Sequence, residues 1–309
     1  MIVVCGEALI DLLPAADGTE RPTPGGGPFT TARALARLEI PTQFLGRISM
    51  DTFGQMLADL LVADGVDLSL ASFGPEPSTM AIASLDARGL AAYRFVSEGT
   101  SAPNLTPTML PETFGPEVNA LHVGTLGLVL EPMASTLLQL IERESGRRLV
   151  MLDPNIRPAL LSDAGDFRRR LDRLIVHTTV VKASNADLAW LYPELDYDAA
   201  AGQFLDAGVE LVLVTLGARG AVAISRDARV SVEAPAVDVV DTIGAGDAFG
   251  AAFLAWLDDQ NAVASRLSLG ADDLRAALEF SCLVASMTCT RPGAQPPWRT
   301  EVQLALNPS

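Results

Sequence analysis

One decapeptide holds the residue types that phosphoryl chemistry needs. Asp241–Gly250 reads Asp-Thr-Ile-Gly-Ala-Gly-Asp-Ala-Phe-Gly. Gly244 and Gly246 carry no side chain, so backbone N–H groups there can approach a ligand closely. Val237, Val239 and Val240 lead in, and Ala248–Leu257 behind is apolar and rich in helix formers, so a glycine turn opens a helix. A helix N-terminus offers unpaired donors and partial positive charge, which suits phosphate. Asp247 stands inside that anion site. A carboxylate repels bound phosphate, yet it is well placed to take a proton from a hydroxyl about to attack one. Two other readings share the stretch. It is a glycine-capped turn into a core helix, or the dinucleotide-like string Gly244-x-Gly246-x-x-x-Gly250. A dinucleotide fingerprint belongs after the first strand of a βαβ unit, with an acidic residue about 20 positions on. This string lies late in the chain, and Asp247 would occupy the pyrophosphate's place. No Lys-Ser/Thr follows the glycines, so it is not a Walker loop.

The rest of the chain must position that turn. Its 309 residues suffice for one large domain or two small ones, and 49% hydrophobic with 19% charged residues suits a globular α/β core. A net charge of −16 argues against nucleic acid and anionic membrane as partners. Lys182 is the only lysine, so phosphate contacts fall largely to arginine, backbone N–H groups and a metal. Cys5, Cys282 and Cys289 are too scattered for a disulfide framework or zinc site. No secretory n-region and no membrane-length apolar run are evident, which points to a soluble cytoplasmic protein.

Strands are expected at Ile2–Cys5, Gln43–Ile48, Asn119–Val123, Leu149–Asp153, Thr179–Lys182 and Leu211–Thr215. Helices are expected at Thr30–Leu38, Asp51–Asp64, Pro132–Glu144, Asp166–Ile175 and Leu274–Cys289. The alternation predicts a doubly wound, mostly parallel sheet flanked by helices. Pro14–Pro24 reads as turn-rich, and Asp86-Ala87-Arg88-Gly89 between Thr79–Leu85 and Ala91–Val96 reads as a hairpin. Asp11 after the first strand, Gly26 and Gly27 before a helix, and Arg157 after Asp153 are the further polar or bare-backbone positions at element ends.

The decapeptide closely resembles the C-terminal signature of the ribokinase-like (PfkB) carbohydrate kinases. Gly6-Glu7-Ala8-Leu9-Ile10-Asp11, Gly46–Gly54, Asp153-Pro154-Asn155-Ile156-Arg157 and Arg291-Pro292-Gly293-Ala294-Gln295 also resemble family elements. The resemblance spans the chain as a single domain, 1–309, and among members it is most like the bacterial fructokinases. It implies a small β-sheet lid built from about 12–26 and 75–105, and homodimers through that lid. It implies transfer of the γ-phosphate of ATP, with Mg2+, to a neutral sugar. Fructose is the expected sugar, with ribose or 2-keto-3-deoxygluconate as alternatives. A NAD-dependent oxidoreductase and a non-catalytic sugar or nucleotide sensor are the readings from other classes.

By the same resemblance Asp247 is the base, Gly244, Ala245 and Gly246 form the anion hole, and Arg157 lies near the reacting phosphate. Asp11, Gly26, Gly27 and Thr30 hold the sugar, with Thr30 standing where the family has Asn. Lys182, Asp187, Thr215, Gly217, Gly220 and Cys289 lie along the nucleotide. Ser184 and Asp187 take the register of the family's Asn-x-x-Glu. Backbone carbonyls of Asp241, Ile243, Thr288 and Gly293 would hold a monovalent cation, K+. Acid-sugar kinases of the family place Tyr and Arg on the lid strand. Aligned on Gly99-Thr100, that Arg position falls on Ser97, and a slip of one strand pair would bring Tyr93 and Arg94 there.

Overall fold

The computed structural model describes residues 1–14, 20–85 and 91–307. The first half runs β1 (Ile2–Cys5), β2 (Leu9–Pro14), β3 (Glu20–Gly25), α1 (Gly27–Arg37), β4 (Thr42–Leu45), β5 (Arg47–Ser49) and α2 (Thr52–Asp64). It continues through β6 (Ser72–Gly74), β7 (Met80–Leu85), β8 (Ala91–Val96), β9 (Ala120–Gly124) and α3 (Met133–Glu144). The second half runs β10 (Leu149–Asp153), α4 (Ala164–Ile175), β11 (Val180–Ser184), α5 (Asn185–Leu191), α6 (Tyr197–Asp206) and β12 (Leu211–Thr215). It closes with β13 (Ala221–Ile224), β14 (Arg229–Val232), α7 (Ala245–Asp259), α8 (Ala271–Cys289) and α9 (Arg299–Leu306).

Among the described residues the main sheet has eight strands in the order β14-β13-β12-β11-β10-β9-β1-β4. β4 through β12 run parallel, and β13 and β14 turn antiparallel at one edge. The central strands are apolar on both faces because helices cover both. Ile2, Val4, Met151 and Leu213 pack under α1, α7 and α8. Val3, Val123, Leu152 and Val214 pack under α3, α4 and α6. Phe253, Leu254 and Leu257 of α7 are fully buried, at about 1.5–3 kcal/mol each. The parallel strands all end on one rim, where ligands of open α/β sheets bind.

A second sheet, in the order β3-β2-β7-β8, stands apart from the first. Its β2 is parallel to β7 and antiparallel to β3, with Asp11 opposite Thr23. The expected turn-rich reading of Pro14–Pro24 is therefore corrected over its second half, where β3 is a strand. Pro22 and Pro24 lack an N–H, and β3 tolerates them because it is an edge. β7 and β8 pair antiparallel as the hairpin reading requires, while the turn Asp86–Gly89 lies outside the described residues.

The expected single strand Gln43–Ile48 is two strands in two sheets, broken at Gly46. A Cβ on Gly46 would lie 2.4 Å from the Gly6 carbonyl and 2.6 Å from the Phe44 ring, so the backbone passes the end of β1 too closely for a side chain. Asp51 caps α2, accepting from the Gly54 N–H at 2.7 Å. No described helix is long and apolar enough to cross a membrane.

Candidate active site

Helix α7 starts on Gly244, whose φ of +79° suits glycine. Space demands glycine there as well. A Cβ would sit 2.7 Å from the Ala294 Cβ and 3.1 Å from Thr30 Cγ2. Ala245, Gly246 and Asp247 follow as the first three helical residues; the Ala245 N–H reaches back to the Thr242 carbonyl at 3.3 Å, and this end of the helix otherwise presents its N–H groups outward. A Cβ on Gly246 would meet Lys182 Nζ at 2.9 Å. On Gly27 it would meet Thr125 Oγ1 at 2.4 Å and Asp247 Oδ1 at 3.3 Å. Gly246 and Gly27 thus let Lys182 and Asp247, charged groups of other elements, approach bare backbone.

These positions enclose a cavity of about 500 Å³ between the strand rim and the second sheet. Asp247, Gly244, Gly246, Ile243, Lys182 and Arg157 form one part of its wall; Asp11, Gly26, Gly27 and Thr30 form the other. Asp247 is half-buried. Burial lifts its carboxyl to about 7, with Asp153 and Asp11 adding to the rise and Lys182 and Arg157 opposing it. That is the range in which a carboxylate serves best as a base at neutral pH. Asp11, in β2, rises to about 6 through burial, held down by the Arg157 charge.

Lys182 points from β11 toward the same place. Its ammonium donates to Asp153 Oδ2 at 2.8 Å, and both side chains are 4% exposed. Burial opposes its charge, but Asp153, Asp247 and Asp187 outweigh that and hold its pKa above the usual lysine value. Arg157 follows β10 and Asn155, whose φ of +39° turns the chain outward. Its Nη1 donates to Asn155 Oδ1 at 2.7 Å and to the Asn155 carbonyl at 3.0 Å, leaving the guanidinium at the cavity mouth.

Other expected site residues lie off this wall. Ala245 does not line the cavity, although Gly244 and Gly246 on either side of it do. Asp187 accepts from Ile156 N–H at 2.7 Å and from Ser184 N–H and hydroxyl at 2.8 and 2.6 Å, closing a capping box on α5. Its carboxylate is buried framework. Thr215 ends β12 opposite Ser184, and Gly217 and Gly220 turn the chain with φ of +62° and +92°. The Cys289 carbonyl accepts from Val240 and Asp241 N–H at 2.9 and 3.2 Å. Asp241 clasps two segments, accepting from Ile243 N–H at 3.0 Å and Gly293 N–H at 2.8 Å. The Thr288 carbonyl accepts from Arg291 N–H at 3.3 Å.

The wall also holds Glu7, Phe95 and Thr125, to which sequence reasoning gave no role. Glu7 was detectable as one charged residue inside the apolar stretch Ile2–Ile10. Phe95 left no such signal, since an aromatic residue in a strand is ordinary core.

Comparison with known proteins agrees with this geometry. The pfkB family carbohydrate kinase description matches residues 1–301. A fructokinase of Rhizobium leguminosarum bv. trifolii is 40% identical over 277 residues, 88% of this chain and 84% of that protein. The structure of a Xylella fastidiosa fructokinase with bound ATP superposes with a TM-score of 0.90 at 25% identity, covering 100% of this chain and 99% of that one. A Vibrio cholerae O395 fructokinase bound to fructose, ADP and calcium gives 0.85 at 26% identity, covering 98% and 97%. With the family match spanning residues 1–301 and a relative 40% identical over most of the chain, the chain belongs to the pfkB family of carbohydrate kinases.

Proposed function

We propose that this sugar kinase transfers the γ-phosphate of MgATP to a hydroxyl of fructose. The observation that carries the reading is Asp247, a carboxyl poised near 7 at the start of α7 and beside the bare backbone of Gly27. The sugar lies between Asp11, Gly26, Gly27 and Thr30. Asp11 accepts from sugar hydroxyls, which an acceptor-only carboxylate does well. Asp247 takes the proton of the attacking hydroxyl. The N–H groups of Gly244, Ala245 and Gly246 meet the charge that develops on the phosphate, each worth about 3–4 kcal/mol in the transition state. Lys182 and Arg157 add positive charge at that point. The nucleotide extends past Thr215, Gly217, Gly220 and Cys289, with Asp187 bracing β10 against α5 beneath it.

The identity of the sugar is argued from the second sheet. Arg94 is exposed, while its neighbour Phe95 lines the cavity, as strand alternation requires. A carboxylate on the sugar would meet Glu7, Asp11 and Asp247 without Arg94 to pair it. A neutral hexose suits this wall, and the name of the 40% identical relative agrees.

Three further parts belong to the same reading. The carbonyls of Asp241, Ile243, Thr288 and Gly293 are neutral oxygens on two segments that the Asp241 carboxylate holds together, a donor set that suits K+. The second sheet, which holds the described strands of the expected lid segments at about 12–26 and 75–105 together with Leu9–Asp11 of β2, acts as the lid and covers its open face by pairing with a second copy. The protein acts in the cytoplasm, where ATP is supplied. A coupled assay of ADP release with fructose, ribose and 2-keto-3-deoxygluconate side by side tests the central statement. The highest kcat/KM is expected for fructose; turnover confined to the acid sugar, or binding without turnover, would overturn it.

A further inference from the structure

Glu7 is fully buried at the foot of the cavity, immediately after β1. Its two oxygens reach in different directions. Oε1 accepts from the Gly27 N–H and Oε2 from the Gly127 N–H, both at 3.3 Å. Gly27 opens α1 and belongs to the sugar side of the wall. Gly127 belongs to the 3₁₀ turn Thr125–Leu128, which follows β9. The two glycines are a hundred residues apart in sequence, and the Glu7 carboxyl spans them. A Cβ on Gly27 would meet both Thr125 Oγ1 of that turn, at 2.4 Å, and Asp247 Oδ1, at 3.3 Å, so the turn and the Asp247 carboxyl face the same bare position.

We propose that Glu7 is a positioning residue that staples the first turn of α1 to the Thr125–Leu128 turn, and so sets the gap between the Gly26–Gly27 backbone and Asp247 where the sugar hydroxyl lies. This rests on the reading of the cavity as the sugar site. The chemistry selects a carboxyl. Two N–H donors converge on one side chain, and a carboxyl offers an acceptor to each, whereas an amide offers one acceptor and sets an NH₂ against the other N–H. Burial, with the charge of Asp247, lifts the group to about 8, and the N–H bond from Gly27 works against that rise because it favours the accepting carboxylate. The backbone also fits the role. A Cβ on Gly26 would come within 2.9 Å of the Glu7 carbonyl, so the α1 entry already rests directly on this residue.

The test is Glu7→Gln. One bridging bond is lost and a buried donor is left unpaired, which lowers kcat/KM for fructose by about tenfold to a hundredfold. The loss falls on KM for fructose, with KM for ATP within about twofold of wild type, and the rise in Tm that fructose alone gives the wild type disappears. A purely structural role would lower the active fraction without splitting the two KM values. An unchanged KM for fructose, or equal changes in both, overturns the proposal.

Should the amide variant fail to fold, Glu7→Asp is read in the same assays. It keeps the charge type but is a methylene too short to span both glycines. Amide exchange in the wild type probes the bridge without any variant. The Gly27 and Gly127 N–H groups should be as protected as β1, and fructose should protect both further. Fast exchange at either one refutes the staple. A wild-type protein that does not phosphorylate fructose refutes the sugar reading instead, and the exchange measurement still judges the bridge.

Discussion

The cavity has two walls built on opposite principles. One wall stands on the main sheet. Asp153 and Lys182 sit at the ends of neighbouring central strands, locked to each other at 2.8 Å and almost fully buried, beneath the start of α7. The other wall stands on the smaller sheet. Asp11 and Phe95 reach the cavity from strands of that sheet, where Arg94 and Val96 on either side of Phe95 face outward. A group that must meet a developing charge within a fraction of an ångström gains from a rigid, desolvated mount. A group that chooses among sugars needs only the right character on a surface that can close. Changes to the first wall should therefore strike turnover, and changes to the second should strike sugar affinity.

The sharpest break is Asp247→Asn. Loss of the base should lower kcat by about 10²–10⁴-fold with little change in ATP affinity, measured by single-turnover phosphorylation and nucleotide titration. The same variant carries a stability signature. The Asp247 carboxyl is lifted from 3.8 to about 7 in the folded protein, so its contribution is most favourable below 3.8 and is lost as pH rises through 7. Asp247→Asn should accordingly raise Tm at pH 8 and leave it unchanged near pH 4. An equal Tm shift at both values would show that the site does not strain this carboxyl.

Next in size is Lys182→Met. A positive donor aimed at the phosphate is removed, and kcat should fall about a hundredfold to a thousandfold. In the wild type, kcat/KM should rise with pH through about 7 as Asp247 ionises. Because Lys182 holds that value down, Lys182→Met should move the acidic limb to higher pH. A limb that stays in place would remove Lys182 from the neighbourhood of the base.

On the second wall the effects shrink. Asp11→Asn should raise KM for fructose about tenfold while kcat changes by less than threefold, since one charge-assisted acceptor is lost. Arg94→Ala should be nearly silent, within about twofold for every sugar. If the protein prefers 2-keto-3-deoxygluconate and Arg94→Ala abolishes that preference, the contrast between the walls fails and the slipped lid alignment stands.

The division between the walls also governed what could be read from the residues alone. The first was legible because its parts are consecutive. A glycine turn, a carboxylate and a helix announce themselves in Asp241–Gly250, and the parallel strands announce themselves as apolar runs. The second depends on pairing between distant segments, and β3 hid behind Pro22 and Pro24, which read as turn until the edge position is known. Long-range side-chain company was equally silent. Nothing near Lys182 in the sequence says that it lies against Gly246, and nothing near Glu7 names Gly27 and Gly127 as its partners. Asp187 shows the converse. A Ser three residues ahead of an Asp is a capping box by local rule, and that rule described its carboxylate better than the register of a distant motif.

The solitary lysine has a practical corollary. With every other position on the chain lacking an ε-amine, acylating or reductively alkylating reagents can mark a side-chain amine at residue 182 and nowhere else. That amine is paired and screened from solvent in the native fold, so labelling becomes a clock for the opening of the central sheet rim. The fraction of protein carrying one added mass on its lysine peptide, followed over time with and without nucleotide, reads the opening of that rim, while the exposed α-amine of Met1 is labelled on a separate peptide.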